Sequence, residues 1–295
     1  MLVIYIMNVI DCTTYFEEKM MMELRFNILD KYVDKFIVCE ASFTHSGEKK
    51  EINFNIKDYP DFKNKIIHLV LKEDPCKEVK DKLILNDRNK SILRIEKQRN
   101  YIKSALGDFS DEDYIIHSDN DEIPNLNSVN LNQNNKKIVI FEQNLHYFKF
   151  NLLYPNFYWY GSKACKLKNL KSLNWLRNIK NKKYNLLRFD TFFSEKKYIS
   201  LNIVKNGGWH FSNLKSLEGI IKKLYNDENY SEFLEKKLTK EQMSDFIQRK
   251  VIPHNHFVDK KSNLKSQETK LAITEKNCLP EYLQKNHEKY SKWFV

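Results

Sequence analysis

The chain reads as an α/β protein with a mostly parallel central sheet flanked by helices and a helical C-terminal region. Three observations predict this. Short apolar runs alternate with segments whose apolar residues recur every three or four positions, the signature of strands alternating with amphipathic helices. Several of those runs end in carboxylates, as strands do at the ligand-binding edge of such a sheet. A length of 295 residues with 41% hydrophobic and 13% aromatic side chains is ample for a large core.

Residues 2–10 form the first predicted strand. This run is too short to cross a bilayer, lacks a basic leader and passes directly into Asp11, so it reads as core rather than signal. Phe16, Met20, Leu24 and Ile28 then recur at fourfold spacing on an amphipathic helix. Strands follow at residues 34–40 and 65–71, then a helix over 92–106 with Ile92, Ile95 and Ile102 inward. Further strands are predicted at 114–117 and 137–141. The second half is rich in aromatics between Tyr147 and Tyr160, and Gly207-Gly208-Trp209-His210-Phe211-Ser212 opens a helical region. Residues 1–212 are expected to form one domain, with 213–295 packed on it as a helical extension.

The net charge of +11 is spread over isolated lysine pairs such as Lys49-Lys50 and Lys222-Lys223, with no long basic block. No nucleic-acid partner is expected. Residues 163–183 are the densest basic stretch, and they interleave Leu167, Leu170, Leu173, Trp175 and Leu176 as an amphipathic surface segment would, so peripheral membrane association is one reading. Five cysteines, an odd number without a C-x-x-C pair, argue against a zinc site and a disulfide framework, and fit a reducing cytoplasm.

The most informative stretch is 113–124, where an apolar run ends in Asp119, Asp121 and Glu122 before Pro124. Carboxylates this close repel each other, and a hard divalent ion such as Mg²⁺ or Mn²⁺ is a common way to neutralise them. An acidic loop capping the next helix is the alternative. His210 taken alone is more often a structural histidine than a ligand.

Six segments, in the same order and nearly end to end, resemble glycosyltransferase family 17. They are Glu23-Leu24-Arg25-Phe26; residues 33–44 with Gly47-Glu48 after them; Gln98-Arg99-Asn100; Ser118-Asp119-Asn120-Asp121-Glu122-Ile123-Pro124; Gly208-Trp209-His210-Phe211-Ser212; and residues 279–286. Ala41, His45 and Asn120 depart from common forms of the family.

The resemblance implies a GT-A-like glycosyltransferase fold, a UDP-sugar donor such as UDP-GlcNAc, a divalent Mn²⁺ or Mg²⁺, and transfer with inversion to a glycan or glycolipid acceptor. It implies a nucleotide-sugar half at about residues 1–125 and an acceptor-side half at about 126–212. Asp119 and Asp121 match the D-x-D position that holds the metal against the diphosphate, and His210 joins them as a ligand. Asp11 and Glu40 are expected at uracil or ribose and Arg99 at phosphate, with Asn100 and Ser118 counted in the same donor pocket. Inversion requires a general base. The candidates are Glu122, Glu142, Asp190 and Glu195, with Glu142 ahead of Asp190 as the better placed pair. The product is expected in surface polysaccharide or glycoconjugate synthesis, in the cytoplasm or at the inner face of the membrane.

Two other classes fit some of the same residues. A metal-dependent nuclease or phosphodiester hydrolase would use Asp119, Asp121 and Glu122, with His254-Asn255-His256 as further ligands. A basic binding module would not need the acidic cluster at all.

Overall fold

The computed structural model describes residues 7–77, 86–185, 187–191, 193–226, 239–258 and 267–295. Four strands make its first half: β1 (Val9–Tyr15), β2 (Lys35–Ala41), β3 (Ile66–Leu71) and β4 (Tyr114–Asp119). After β5 (Glu122–Pro124) come β6 (Ile138–Phe141), β7 (Gln143–Tyr147), β8 (Leu152–Trp159), β9 (Lys163–Lys166), β10 (Leu201–Val204) and β11 (Gly208–Ser212). A seven-stranded sheet has the order β3-β2-β1-β4-β9-β6-β10, and a five-stranded sheet has β5-β11-β7-β8-β14, where β14 is Ala272–Ile273. In the larger sheet β9 alone runs antiparallel to its neighbours β4 and β6, while the pairs β1/β2, β2/β3, β1/β4 and β6/β10 are parallel.

The strands are buried on both faces, so their side chains divide between two cores. Val9, Phe36, Val38, Tyr114 and Ile116 pack with Met21, Met22, Leu24, Phe26 and Leu29 of helix α1 (Lys19–Leu29) and with Leu279, Leu283 and Tyr290 near the C-terminus. Ile10, Cys12, Ile37, Cys39 and Ile115 face the other way, toward Ile102, Leu106, Leu173 and Leu176. Helix α2 (Asp87–Tyr101) and helix α3 (Leu173–Asn178) cover that face. Each such buried aliphatic or aromatic side chain contributes about 1.5–3 kcal/mol. A third cluster joins the second sheet to α4 (Leu217–Asn226) and α5 (Lys240–Arg249) through Ile220 and Met243.

Several elements depart from the sequence reading. The first strand runs from Val9 to Tyr15, so Asp11 lies inside it rather than at its end; residues 2–6 of the predicted strand lie outside the described residues. The inward face of α1 carries Met21, Met22, Leu24, Arg25, Phe26 and Leu29, so Leu24 is buried as expected while Phe16, Met20 and Ile28 are only half-buried. Ile92 is exposed, because Ser91, Arg94, Ile95 and Gln98 take the inward face of α2. Gly208–Ser212 is a strand, and Gly208 at its start adopts φ +135°, which only glycine accommodates readily. The C-terminal region mixes α4, α5 and α6 (Glu281–Lys285) with three short strands, β12 (Val251–Ile252), β13 (Thr269–Lys270) and β14. Among the described residues no helix is long and apolar enough to cross a membrane.

Candidate active site

The order β3-β2-β1-β4 reverses direction between β1 and β4, and in an open α/β sheet the crevice beyond the strand ends at such a point receives ligands. The acidic turn lies there. Thr14 near the end of β1 pairs with Asp119 at the end of β4, and the chain turns through Asn120 and Asp121 into β5. Arg25, fully buried on α1, pins this turn. Its guanidinium grips both oxygens of Asp11 at 2.7 and 2.6 Å, and donates to Ser118 Oγ at 2.7 Å and to the Glu122 carbonyl at 2.7 Å. A buried charge needs such a partner, and Asp11 is that partner.

The three carboxylates of the turn meet different cations. Asp119 accepts from Arg99 at 3.1 and 3.3 Å and from Arg177 at 2.9 Å. Burial would raise its pKa, but Arg177 and Arg99 outweigh burial and hold it far below the usual carboxylate range. Asp121 lies 3.2 Å from Lys223 Nζ and 3.6 Å from His210 Nε2. Burial again opposes ionisation there, and Lys223 and His210 again reverse it. Glu122 is 1% exposed and receives both terminal nitrogens of Arg177 at 2.7 Å, the Trp159 indole N–H at 2.5 Å and the Asp119 backbone N–H at 3.0 Å.

Arg177 sits in the last turn of α3, and two buried contacts fix that turn. Lys163 at the start of β9 donates to the carbonyls of Arg177 and Ile179 at 2.5 and 2.6 Å, occupying helix-end acceptors. Burial, with Arg177 next to it, pushes the Lys163 ammonium down to about 7. Asn100 of α2 accepts the backbone N–H of Asn174 at 3.0 Å. Gly161 leaves room for Glu122, since a methyl group in its place would overlap the carboxyl.

The cleft over this turn has a volume of about 520 Å³ and is lined by Thr14, Phe43, Arg99, Asp119, Asp121, Glu122, Trp159, Arg177, His210 and Lys223 among others. A second cavity of about 520 Å³, lined by Met20, Met21, Phe211, Lys215 and Trp293, shares Glu18, Asp121 and Lys223 with it. Glu18 is held by Lys215 at 2.6 Å and by the Asn120 amide at 2.6 Å.

Of the residues singled out from the sequence, Arg99, Asp119, Asp121 and His210 come together in the cleft. Glu122 and His256 line it as well, while Asp11, Ser118, Asn100, Glu40, Glu142, Asp190 and Glu195 do not. Asp11 and Ser118 are buried behind the turn on Arg25, and Asn100 ties α2 to α3. Glu40 points into a polar knot with Lys50, His68 and the backbone N–H groups of Asn53 and Phe54. Glu142 is buried against Tyr160 Oη at 2.8 Å and Lys205 Nζ at 2.7 Å. Asp190 lies in an exposed loop, paired with Arg188 at 2.7 Å and Lys197 at 2.6 Å, and Glu195 is a surface partner of Lys171. His254 and His256 stand 3.1 Å apart, and His256 hydrogen-bonds the Tyr147 hydroxyl at 2.7 Å.

Arg177 was not singled out in the sequence, while Trp159 and Gly161 stood out only as part of the aromatic stretch, Lys223 as one of a lysine pair and Lys163 as the start of a basic run. The one available signal for Arg177 was its place in the basic stretch 163–183, where Leu170, Leu173 and Leu176 turn out to be core rather than surface.

A family model for glycosyltransferase family 17 matches residues 5–292. The chain belongs to this family. Comparison with curated proteins gives no match. As a glycosyltransferase the protein takes a nucleotide-sugar donor and a glycan acceptor, which decides against the phosphodiester-hydrolase and binding-module readings. The transferase presents three carboxylates at the switch point, with Arg99, Arg177 and Lys223 as fixed counter-charges. Among its described residues no group of three or more His, Cys, Asp or Glu side chains stands close enough to hold a metal ion alone.

Proposed function

We propose that the protein transfers N-acetylglucosamine from UDP-GlcNAc to a glycan hydroxyl with inversion at the anomeric carbon, assisted by a divalent Mn²⁺ or Mg²⁺, on a GT-A-like fold. The observation that carries this reading is the Asp119–Glu122 turn at the β1/β4 switch point, framed by Arg99 and Arg177. The resemblance to the family motif carries the choice of donor sugar and of inversion.

The charge balance of the cleft supports a metal. Asp119, Asp121 and Glu122 are already matched by Arg99, Arg177 and Lys223, so a diphosphate would add negative charge to a cluster whose charges are balanced. A divalent ion would offset it and would supply Lewis-acid stabilisation of the UDP leaving group. Asp121 and His210, 3.6 Å apart, would hold it, and the remaining ligands would come from water and phosphate oxygens, the usual pattern for Mg²⁺ with phosphate substrates. Asp119 stays on its two arginines and orients them toward the donor.

The acceptor belongs in the adjoining cavity, where Trp293 offers a flat face for a sugar ring and Glu18 and Lys215 supply polar partners. The five cysteines are all free thiols, which supports a reducing cytoplasm as the place of work.

Calorimetry of UDP and UDP-GlcNAc binding, with Mn²⁺ and with EDTA, tests the reading on the wild type and on Asp121→Ala. Metal-dependent binding abolished in the variant is expected, followed by proton NMR of an inverted product. UDP binding that ignores both EDTA and the substitution would rule out the metal role, and binding of GDP-mannose in preference to UDP-GlcNAc would rule out the donor.

A further inference from the structure

From the loop that follows α3, we infer that the protein docks on an anionic membrane surface through its described residues 180–185, 187–191 and 193–197. The base of this loop is closed by the Lys180 N–H to the Lys196 carbonyl at 2.8 Å, and the Trp175 indole of α3 anchors it through the Glu195 carbonyl at 2.8 Å. Its described apolar side chains turn to solvent: Leu187 is 77% exposed, Phe189 74% and Phe193 90%. Water-facing aromatics of this size in one short loop mark an interaction surface rather than ordinary surface scatter.

The charges around them select the partner. Lys180, Lys182, Lys183, Arg188, Lys196 and Lys197 flank the apolar residues in sequence, against Asp190 and Glu195. Asp190 is matched by Arg188 and Lys197, while among the described residues no carboxylate pairs with Lys180, Lys182, Lys183 or Lys196. Tyr184 lies beneath Arg188 and Lys197 at 5.8 and 5.9 Å from its ring centroid, an amphipathic ring suited to the headgroup level. Apolar insertion beside unpaired lysines is the pattern of reversible binding to anionic lipid, with the lysines adding attraction that salt screens.

The amphipathic stretch seen in the sequence, 163–183, is displaced by this finding: its leucines are core, and the exposed apolar residues lie just beyond it. The loop begins three residues after Arg177, which holds Asp119 and Glu122. A docked loop therefore brings the cleft close to acceptors carried in the lipid surface, independently of which donor the cleft takes.

Co-sedimentation of the full chain with vesicles of phosphatidylcholine alone, and with added phosphatidylglycerol, tests this without donor or acceptor. Binding to the anionic vesicles only, falling on the order of tenfold in Phe189→Ser/Phe193→Ser and weakening with salt, is expected. Unchanged UDP affinity in that variant shows the cleft intact, so loss of vesicle binding is read apart from any failure of the donor assignment. Equal binding to neutral vesicles, or no binding to either, overturns the inference. So does a wild-type dimer by light scattering that the double variant converts to monomer, which would make the loop a contact between copies of the chain.

Discussion

Arg177 binds both oxygens of Glu122 at 2.7 Å while the same guanidinium reaches Asp119 at 2.9 Å. One side chain from α3 thus sets the position of two carboxylates on the turn after β4. Arg177→Ala would leave Glu122 buried and ionised without its partner, a loss of about 3–5 kcal/mol. Arg177→Lys would keep the charge but not the forked geometry, so it should recover part of the melting temperature and little of the activity. Thermal unfolding and initial rates measured on both variants check this. If lysine restores full activity, geometry is not what Arg177 provides.

Gly161 is required by volume, not by backbone angle. Glu122 fills the space its missing side chain leaves, and Trp159 and Arg177 hold the carboxyl there on either side. Overpacking a buried site costs about 1–3 kcal/mol, and moving the Glu122 carboxylate would also disturb Arg177. Gly161→Ala should therefore lower both stability and donor affinity. Calorimetry of donor binding on folded variant separates the two, and a variant with wild-type affinity would mean that Glu122 shifts without consequence.

Glu40 contributes to stability rather than to the cleft. Burial would raise its carboxyl pKa, but His68, Lys50 and the N–H groups of Asn53 and Phe54 outweigh burial and hold it below the usual range. A carboxyl depressed in the folded state stabilises fully above its unfolded value, and that stabilisation is lost as pH falls below about 4.3. Glu40→Gln, which strips the ion pair with Lys50, should cost about 3 kcal/mol near neutral pH and less in acid. Urea unfolding of both proteins at pH 7 and pH 4 is the check. A penalty that stays constant between the two would show that Glu40 is not ionised in the fold.

Much of this was legible in the sequence. The strands at 34–40, 65–71, 114–117 and 137–141 appear within a residue or two, because each is a short, mostly apolar run bounded by polar residues. The acidic turn was legible too, since three carboxylates after such a run have few places to go but the sheet edge. Roles set by distant pairing were not. Asp11 looked like a rim residue because an aspartate usually ends a strand, yet Arg25 fourteen residues later neutralises it inside one. Glu40 did end its strand, but residues 50–54 fold back over it. Arg177 and Gly161 matter through their fit to Glu122, and neither residue carries that fit in its own neighbourhood of the chain. Tertiary contacts assigned these roles, and local pattern does not encode them.

Glu142 ranked first as general base on its place at the end of a strand, and the fold argues against that role. It is 4% exposed, and its Oε2 accepts from Tyr160 at 2.8 Å and from Lys205 at 2.7 Å. Tyr160 in turn is pushed up to about 12 by its burial and by Glu142, so the phenol keeps its proton and keeps donating. A general base must present a free lone pair to the acceptor hydroxyl, and it contributes roughly 10²–10⁴-fold to the rate. Glu142 commits Oε2 to two neighbours and does not line the cleft. Glu142→Gln, which still accepts from Tyr160, should cost about 1 kcal/mol of stability and leave kcat within about threefold of wild type. A hundredfold fall in kcat with an unchanged melting temperature would return Glu142 to the chemistry, and would place the acceptor hydroxyl on the Tyr160 side of the rim.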